Sequence, residues 1–258
     1  MAMQVFNTSA PRCSTVATYS QAKSQAAKFK YGRARNVPRS TVKRCIRVSK
    51  SEERDNDGDA VEYIKPPKTK RGEETLRRIC EAAERLFAEK GYYATEVNDI
   101  TRSAGISSGT FYIYFSDKIS IFRYLMEELS RELRKELREA KEEHSSNSLL
   151  ESEGVSIRTF FQFVSKHIGL FAIVWQSQFV DPKSFKKYYE RFSVGYITEI
   201  RNAQEEGEIR LFDPACISYC LMGIYNFTAL KSFIFDGKEP DEEMIEQLLN
   251  FIRNGLQK

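Results

Sequence analysis

In the stretch "GISSGTFYIYFSDK", residues 105–118, a glycine and two small hydroxyl residues are followed by a run of aromatic and aliphatic side chains. Its tyrosines, Tyr112 and Tyr114, stand between apolar neighbours, a pattern that suits neither a core helix nor a surface loop. The stretch predicts a short helix over about 107–113, and the helical pattern before it ends at Gly105. Helix, glycine turn and short helix form the plan of a helix-turn-helix, whose second helix enters the major groove of DNA.

Two predicted helices would complete a three-helix domain. The first covers about 73–91, with apolar residues three and four positions apart. Thr95 is the predicted N-cap of the second, since its hydroxyl can accept a hydrogen bond from a free backbone N–H. Phe111 and Phe115, four residues apart, would share the face that packs against both helices. The apolar stripe of the first helix consists of Leu76, Ile79, Cys80, Ala83, Leu86 and Phe87.

The short helix carries residue types that suit the reading of DNA. Ser107, which can cap it, and the adjacent Ser108 and Gly109 are small, so the start of the helix can approach DNA closely. Thr110 offers a hydroxyl and a methyl group, which suit a base edge or a thymine methyl. A small helical bundle that touches no DNA is the alternative for a helix–glycine–helix pattern taken alone.

The complete string "LFAEKGYYATEVNDITRSAGISSGTFYIYFSDKISIF" closely resembles the DNA-binding domain of the TetR family of one-component repressors. The matching features are Leu-Phe and Lys-Gly-Tyr at the end of the first helix, the threonine that opens the second, and Ile-x4-Gly-Ile at the turn. They also include Gly-Thr-Phe-Tyr-x-Tyr-Phe and the Asp-Lys that follows. The resemblance covers about residues 73–125, whereas the C-terminal half is similar only in length and helical content.

The resemblance implies a role for each matching position. The DNA backbone would be held by Thr95, Tyr112, Tyr114 and Lys118. The bases would be faced by Asn98, Ser108, Gly109, Thr110 and Ile113. Many family members have Lys or Arg where this chain has Ser108, so apolar contacts, DNA shape and phosphate contacts would carry more of the specificity here.

Helical periodicity along the rest of the chain indicates an all-α fold with three parts. Residues 1–70 are predicted to be a disordered basic extension, because they contain too little apolar surface to offset the entropy of ordering. Residues 71–118 are the predicted helix-turn-helix domain, and 119–258 a larger helical domain that, by the resemblance, binds a ligand and dimerises. Its helices are predicted over about 117–143 and near 154–166, 167–178, 183–206, 213–235 and 240–256.

The net charge of +4 conceals an asymmetry along the chain. Residues 1–70 carry 15 Lys/Arg and 6 Asp/Glu, whereas residues 71–258 carry 25 and 30. The basic extension is interpreted as a flexible tail, a cleaved transit peptide or an arm that contacts DNA; a misassigned start codon is a further alternative. The residues of such an arm would be Lys65, Lys68, Lys70 and Arg71.

The larger domain holds 17 of the chain's 32 aromatic residues between positions 157 and 235. Most belong in an ordinary core, but so many together suggest an apolar cavity with few polar anchors. The predicted effector is a hydrophobic small molecule such as an acyl chain. No acidic cage for a cation is evident, and Glu190 and Glu199 are expected on a solvated helix face. The predicted ligand-binding residues are Phe163, Phe171, Trp175, Phe179, Tyr189, Phe192, Tyr196 and Tyr225.

The last two predicted helices are expected to form a homodimer. The segment "ACISYCLMGIYNFTALKSFIF", residues 215–235, is apolar on nearly all sides, and such a helix must be buried on several faces. Four helices from two subunits would bury it; burial inside one larger monomer is the alternative. Cys216 and Cys220 share a face, where plain buried thiols are favoured over a redox switch. The last helix carries the stripe Ile245, Leu248, Leu249 and Ile252.

Other classes of protein leave no signature in the sequence. Without a GxSxG, P-loop or HExxH motif, no enzyme is expected and no cofactor or catalytic residue is predicted. Two distant histidines and five scattered cysteines without a CxxC pair predict no metal site and a reducing compartment. No apolar run reaches eighteen residues, so no membrane partner is expected. The predicted location is the cytoplasm, at the nucleoid.

The predicted function is ligand-responsive regulation of transcription. A dimer would bind a palindromic, double-stranded DNA operator, with repression as the default sign. The ligand would tilt the long helix over 117–143 and so change the spacing of the two DNA-reading helices. The rival prediction is a helical protein-interaction module that uses the 107–114 helix for protein contact.

Overall fold

The computed structural model describes residues 67–144 and 148–258, and over that part of the chain the predicted all-α fold is confirmed. The only extended pairing among these residues is an isolated antiparallel bridge between Ile209 and Gln257. Their α-helices are α1 (Lys70–Lys90), α2 (Val97–Ala104), α3 (Ser108–Tyr114), α4 (Lys118–His144), α5 (Leu149–Lys166), α6 (Ile168–Val180), α7 (Pro182–Glu205), α8 (Pro214–Ala229) and α9 (Glu242–Leu256).

The start of α1 lies at the end of the predicted extension. Residues 1–66, with Lys65 among them, lie outside the described residues. Thr69 is the N-cap of α1, and its hydroxyl accepts a hydrogen bond from the backbone N–H of Gly72 at 3.1 Å. The first turn of α1 therefore brings two exposed basic residues, Lys70 and Arg71, into the ordered domain.

An aromatic core holds the first three helices together. Phe87 on α1, Phe111 on α3 and Phe115 just after α3 have almost no exposed surface. Phe122 from the first turns of α4 joins them, with its ring centroid 5.6 Å from that of Phe87. Burial of one such side chain contributes roughly 1.5–3 kcal/mol. The predicted packing of Phe111 and Phe115 against the first helices is confirmed.

The turn between α2 and α3 is fixed by backbone conformation and by an arginine. Gly105 has φ 63° and ψ 42°, a left-handed backbone conformation that residues other than glycine rarely adopt. The backbone N–H of Ile106 donates to the carbonyl of Thr101 at 3.0 Å and closes the end of α2. Arg78 of α1 donates to the carbonyls of Ala104 and, at 3.0 Å, Gly105. The angle between the two short helices thus depends on Gly105.

Gly105→Ala is expected to destabilise the protein by about 1–2 kcal/mol, because a Cβ disfavours the left-handed conformation. The new Cβ would also lie 2.8 Å from a guanidinium nitrogen of Arg78. Urea unfolding measures the change. Gly195→Ala is the matched control, since no heavy atom lies within 4 Å of a Cβ there and alanine favours the helix. Equal stability of the two variants would contradict this account of the turn.

The long helix α4 belongs to both halves of the described chain. Asp117 caps its first turn, where the side-chain oxygen accepts a hydrogen bond from the N–H of Ser120 at 2.8 Å. The N-terminal turns bury Ile121 and Phe122, and the middle of the helix buries Leu129 and packs against α5 and α7. A rotation of α4 therefore changes the packing of both halves.

The remaining helices form the C-terminal domain. α5 begins at Leu149, earlier than predicted, because its free N–H groups are satisfied by Ser148 and by a carboxylate far along the chain. Glu208 accepts hydrogen bonds from the N–H groups of Leu149 at 3.0 Å and Leu150 at 2.9 Å. α8 continues as a π-helical segment, Leu230–Asp236, which ends at Gly237.

Among the described residues, no single helix is long and apolar enough to cross a membrane. Among these helices, only α5 and α6 taken together have the length and apolar composition of a span, and the two meet at an angle of 96°.

Candidate nucleic-acid interface and effector domain

The short helix α3 has one buried side and one exposed side. Ser107 is its N-cap, as predicted, and accepts a hydrogen bond from the N–H of Thr110 at 3.2 Å. Phe111 lies on the buried side, whereas Tyr112 is 54% exposed and Ile113 58% exposed. An exposed aliphatic side chain beside an exposed phenol is a surface that can be covered by a partner.

The residues predicted to face bases lie on neighbouring surfaces of α2 and α3. Asn98, Ser108 and Gly109 are exposed, and Thr110 is half-buried. The hydroxyl of Ser108 lies 3.4 Å from the side-chain oxygen of Asn98, so the two helices meet at this point. We call the set of Asn98, Ser108, Gly109, Thr110, Tyr112 and Ile113 the α3 face.

Thr95 has a different role from the predicted one. It is fully buried, and its hydroxyl donates to the carbonyls of Leu86 at 3.2 Å and Gly91 at 2.9 Å. The N-cap of α2 is Glu96, one residue later. The side chain of Thr95 therefore satisfies carbonyls near the end of α1 and is corrected from a DNA-backbone contact to a structural residue.

Two other predicted backbone contacts are also engaged inside the domain. The hydroxyl of half-buried Tyr114 donates to the carbonyl of Gly72 at 3.1 Å, which ties α3 to the start of α1. Lys118 donates to the carbonyls of Tyr92 at 2.9 Å and Thr95 at 2.7 Å, and burial lowers its pKa. Tyr112 is the phenol that points outward. DNA contact by Tyr114 or Lys118 stays a prediction. Such a contact would compete with the hydrogen bonds that these two side chains donate inside the domain.

The basic start of α1 lies next to the α3 face. The bond from Tyr114 to Gly72 places the turn that carries exposed Lys70 and Arg71 beside the end of α3. Lys68 is exposed just before it. These cations are the described part of the predicted arm, and positive side chains there would favour a phosphate backbone.

Polar contacts that no local pattern indicates join the helix-turn-helix domain to α6. The side chain of Gln176 accepts a hydrogen bond from the N–H of Tyr92 and donates to the carbonyl of Phe87, both at 2.9 Å. Arg123 forms an ion pair with Asp181, at the end of α6, at 2.6 Å. A shift of α6 would therefore act directly on the end of α1.

The aromatic residues predicted to bind a ligand do not share one environment. Phe163, Phe171 and Tyr225 are buried in the core of the C-terminal domain. Half-buried positions on α6 and α7 are taken by Trp175, Tyr189, Phe192 and Tyr196. Phe179 is 74% exposed near the helix-turn-helix domain, so its predicted place in an interior cavity is wrong.

The described residues show a small pocket away from the predicted set. It has a volume of only about 10 Å³ and lies between α4 and α7, beside Met126, Tyr188 and Arg191. None of the eight predicted ligand-binding residues lines it. The predicted aromatic cluster is packed against itself, with the rings of Phe160 and Tyr225 stacked at 5.9 Å, so a ligand would have to displace side chains to enter it.

A buried acid lies among these aromatic residues. Glu153 on α5 is almost wholly buried, and one carboxylate oxygen accepts a hydrogen bond from the hydroxyl of Tyr225. The other oxygen has no partner among the described residues. Burial raises the pKa of Glu153 to about 7. Glu199, expected on a solvated face, is half-buried and pairs with Lys141 at 2.7 Å.

Glu153 is expected to make stability fall as the pH rises. Its folded pKa of about 7 exceeds the ordinary 4.5, so the folded state binds the proton more tightly, and the stability present below pH 4.5 is lost as the pH rises to 7. The loss is on the order of 1–3 kcal/mol.

Urea unfolding at pH 5 and pH 8 measures the change in the free energy of unfolding. The difference between the two pH values is expected to be smaller in Glu153→Gln than in the wild type. Burial also raises the pKa values of Glu84 and Glu128 to about 7. These two residues are therefore expected to keep part of the pH dependence of stability in the Glu153→Gln variant. The control is Glu143→Gln, an exposed residue. If Glu153→Gln showed the same difference in stability between pH 5 and pH 8 as the wild type, Glu153 would not be a source of the pH dependence.

The outer side of the C-terminal domain shows uncovered apolar residues. On α8, Cys216, Cys220 and Phe227 are exposed at spacings that place them along one side of the helix. The two thiols are thus exposed in the single chain, not buried as favoured from the sequence. On α9, Phe251 is 69% exposed. Both helices pack on α5.

This chain is similar to known regulators of transcription. A sequence profile described as "Bacterial regulatory proteins, tetR family" matches residues 79–125. YdgC, an uncharacterized HTH-type transcriptional regulator of Bacillus subtilis strain 168, is 24% identical over 192 residues, which is 72% of this chain and 94% of that protein.

Two solved structures share the fold. The TetR family transcriptional regulator PfmR from Thermus thermophilus superposes with a TM-score of 0.59 at 23% identity, covering 70% of this chain and 100% of PfmR. The fatty acid degradation regulator FadR from Bacillus halodurans gives a TM-score of 0.60 at 15% identity, with the same coverage of 70% and 100%.

A three-helix domain whose third helix is exposed and follows a glycine turn, with a larger helical domain after it, has the helix-turn-helix architecture. The matched profile and the regulators similar to this chain identify the class more closely. Residues 79–125 match the TetR family domain, and the similar regulators support a TetR family regulator of transcription. That class acts by regulating transcription, not as an enzyme.

Proposed function

We propose that the protein is a repressor that binds a palindromic operator as a homodimer and releases it when a hydrophobic small molecule enters the C-terminal domain. The observation that carries the proposal is the α3 face, with Tyr112 and Ile113 both more than half exposed. An exposed apolar surface of this kind on a short helix suits contact with base edges and thymine methyl groups.

The cations beside the α3 face support binding to a duplex. Lys70 and Arg71 are exposed at the start of α1, which Tyr114 ties to the end of α3. With α3 in the major groove, they would lie near the adjacent phosphates. Phosphate contacts position a protein on DNA, and base contacts specify the sequence. The proposed division is therefore Lys70 and Arg71 for position and the α3 face for specificity.

The exposed side of α8 and the exposed Phe251 of α9 support a symmetric dimer. A two-fold interface uses the same surface on both subunits, and burial of these apolar side chains would supply the driving force. In such a dimer the two copies of α3 would read half-sites about 34–36 Å apart, one turn of DNA.

Release by an effector would pass through the contacts of α6. Trp175 and Phe171 lie on the same helix as Gln176, which bonds to the end of α1. An effector that separates the aromatic side chains would move α6, and Gln176 would transmit the movement. The effect on DNA binding is limited by the difference in the effector's affinity for the two states.

The effector is proposed to be an amphipathic molecule with a long apolar part. The aromatic cluster suits an acyl chain, and FadR from Bacillus halodurans, a fatty acid degradation regulator, shares the fold. The free carboxylate oxygen of Glu153 and the indole N–H of Trp175 are buried without a partner among the described residues. Buried polar atoms of this kind favour a ligand that also carries hydrogen-bonding groups.

In vitro transcription tests the proposal, on a promoter that carries the duplex the protein selects. Addition of the protein is expected to lower transcript yield, and micromolar palmitoyl-CoA to restore it, with CoA alone as the control. A rise in transcript on addition of the protein would overturn repression. Failure of acyl-CoA of every chain length to restore transcription would overturn the proposed class of effector.

A further inference from the structure

Three metal-binding side chains from distant parts of the sequence converge where α4 passes the bend between α5 and α6. Glu132 and Glu136 lie one turn apart on α4, and His167 is the residue between α5 and α6. Their donor atoms, two carboxylate oxygens and one imidazole nitrogen, lie within 4.8 Å of one another. We propose that Glu132, Glu136 and His167 bind one divalent transition-metal ion of the Mn²⁺, Fe²⁺ or Zn²⁺ class.

His167 points to a ligand independently of the two acids. The residue is only 4% exposed, and its Nδ1 is buried without a hydrogen-bond partner among the described residues. A buried polar atom without a partner costs about 1–3 kcal/mol, and coordination of the imidazole would remove that cost. The ring stacks on Phe163, with centroids 4.3 Å apart, which fixes its orientation.

The charges around the three donors favour a cation. Acidic residues four apart on a helix repel each other by about 0.2–0.5 kcal/mol, and a cation bound between Glu132 and Glu136 would relieve that repulsion. Lys166 brings one positive charge near the donors, with its Nζ 3.8 Å from a Glu136 oxygen.

The geometry needs a small closure of the site. Donor atoms about 2.1 Å from a common ion lie about 3–3.5 Å apart, so each side chain must move by roughly 1 Å. Two carboxylates and one imidazole suit ions that accept both oxygen and nitrogen ligands. Water would occupy the remaining coordination positions of the ion. Bound metal would fasten α4 to the start of α6, the two helices that contact the helix-turn-helix domain.

Mn²⁺ binding to the full-length protein tests this, followed by the loss of the free-ion EPR signal and in the absence of DNA. One saturable site per chain is expected. His167→Gln should weaken binding at least tenfold, and His144→Gln, which replaces the chain's other and exposed histidine, should stay within twofold of wild type. Zn²⁺ is expected to displace Mn²⁺, since it binds such ligands more tightly.

Absence of saturable binding, or equal affinity in wild type and His167→Gln, would overturn the proposal. If circular dichroism shows that His167→Gln does not fold, Glu136→Gln at a half-buried position carries the same test, and wild-type affinity in that variant would overturn it. Because no DNA is present, neither result bears on the proposed repressor function.

Discussion

Replacement of Tyr112 by alanine is expected to weaken binding to the operator about 100-fold while the fold is retained. Tyr112 is exposed on the α3 face and lies outside the buried core, so its removal leaves the core intact. A lost contact to DNA costs about 1–3 kcal/mol. A dimer loses it twice, and each 1.4 kcal/mol is a factor of about ten.

Fluorescence anisotropy with a labelled operator measures the effect. Tyr112→Phe separates the hydroxyl from the ring, and Leu211→Ala, at an exposed position in the loop before α8, is the control. Tyr114→Phe should lower stability by about 1 kcal/mol, through loss of its bond to Gly72. Operator affinity unchanged in Tyr112→Ala would remove α3 from the DNA interface.

Replacement of Phe251 by glutamate is expected to raise the dissociation constant of the dimer at least 100-fold. Phe251 is 69% exposed on α9 and is proposed to be covered by the partner subunit. Each subunit would bring one new carboxylate into an apolar interface, and an unpaired buried charge costs several kcal/mol. Tyr219→Glu on α8 should act in the same way.

Sedimentation equilibrium measures the dissociation constant. Tyr93→Glu is the control, because Tyr93 is an equally exposed aromatic residue on the helix-turn-helix domain. Operator binding by Phe251→Glu should also weaken, since a single copy of α3 reads only one half-site. An unaltered dimer in both the α8 and α9 variants would show that these apolar surfaces serve another purpose.

The sequence was sufficient to predict the features that depend on local patterns. Ser107 as the cap of α3, the glycine turn at Gly105 and the burial of Phe111 and Phe115 follow from spacing and residue type. These features rest on neighbours within a few positions, and they define the family domain. The all-α fold of the C-terminal half likewise follows from helical periodicity.

The sequence was not sufficient where a side chain has two uses. Thr95 matches a family position, yet its hydroxyl turns inward because the carbonyls near the end of α1 need a donor. Lys118 similarly donates to carbonyls of the preceding loop. A motif records which residue type is required at a position and does not record whether DNA or the domain itself requires it.

Contacts between distant segments were also beyond local patterns. Gln176 and Phe87 meet across 89 positions, and no feature near either residue indicates it. The convergence of His167 on α4 is of the same kind. Glu153 differs, since it lies four residues before buried Ile157 and seven before buried Phe160, so the helical stripe of α5 already placed it on the inner face. The predicted helix began near residue 154, so the prediction left Glu153 just outside this stripe.

The central claim, that paired α3 helices read DNA, is tested most directly by selection of duplexes from a random pool with the purified full-length protein. We expect enrichment of an inverted repeat whose half-site centres lie one helical turn, about 10 bp, or a multiple of it apart. The same selection with Tyr112→Ala should lose that enrichment. A pool that stays random with the wild-type dimer, or an enriched site without two-fold symmetry, would contradict the claim.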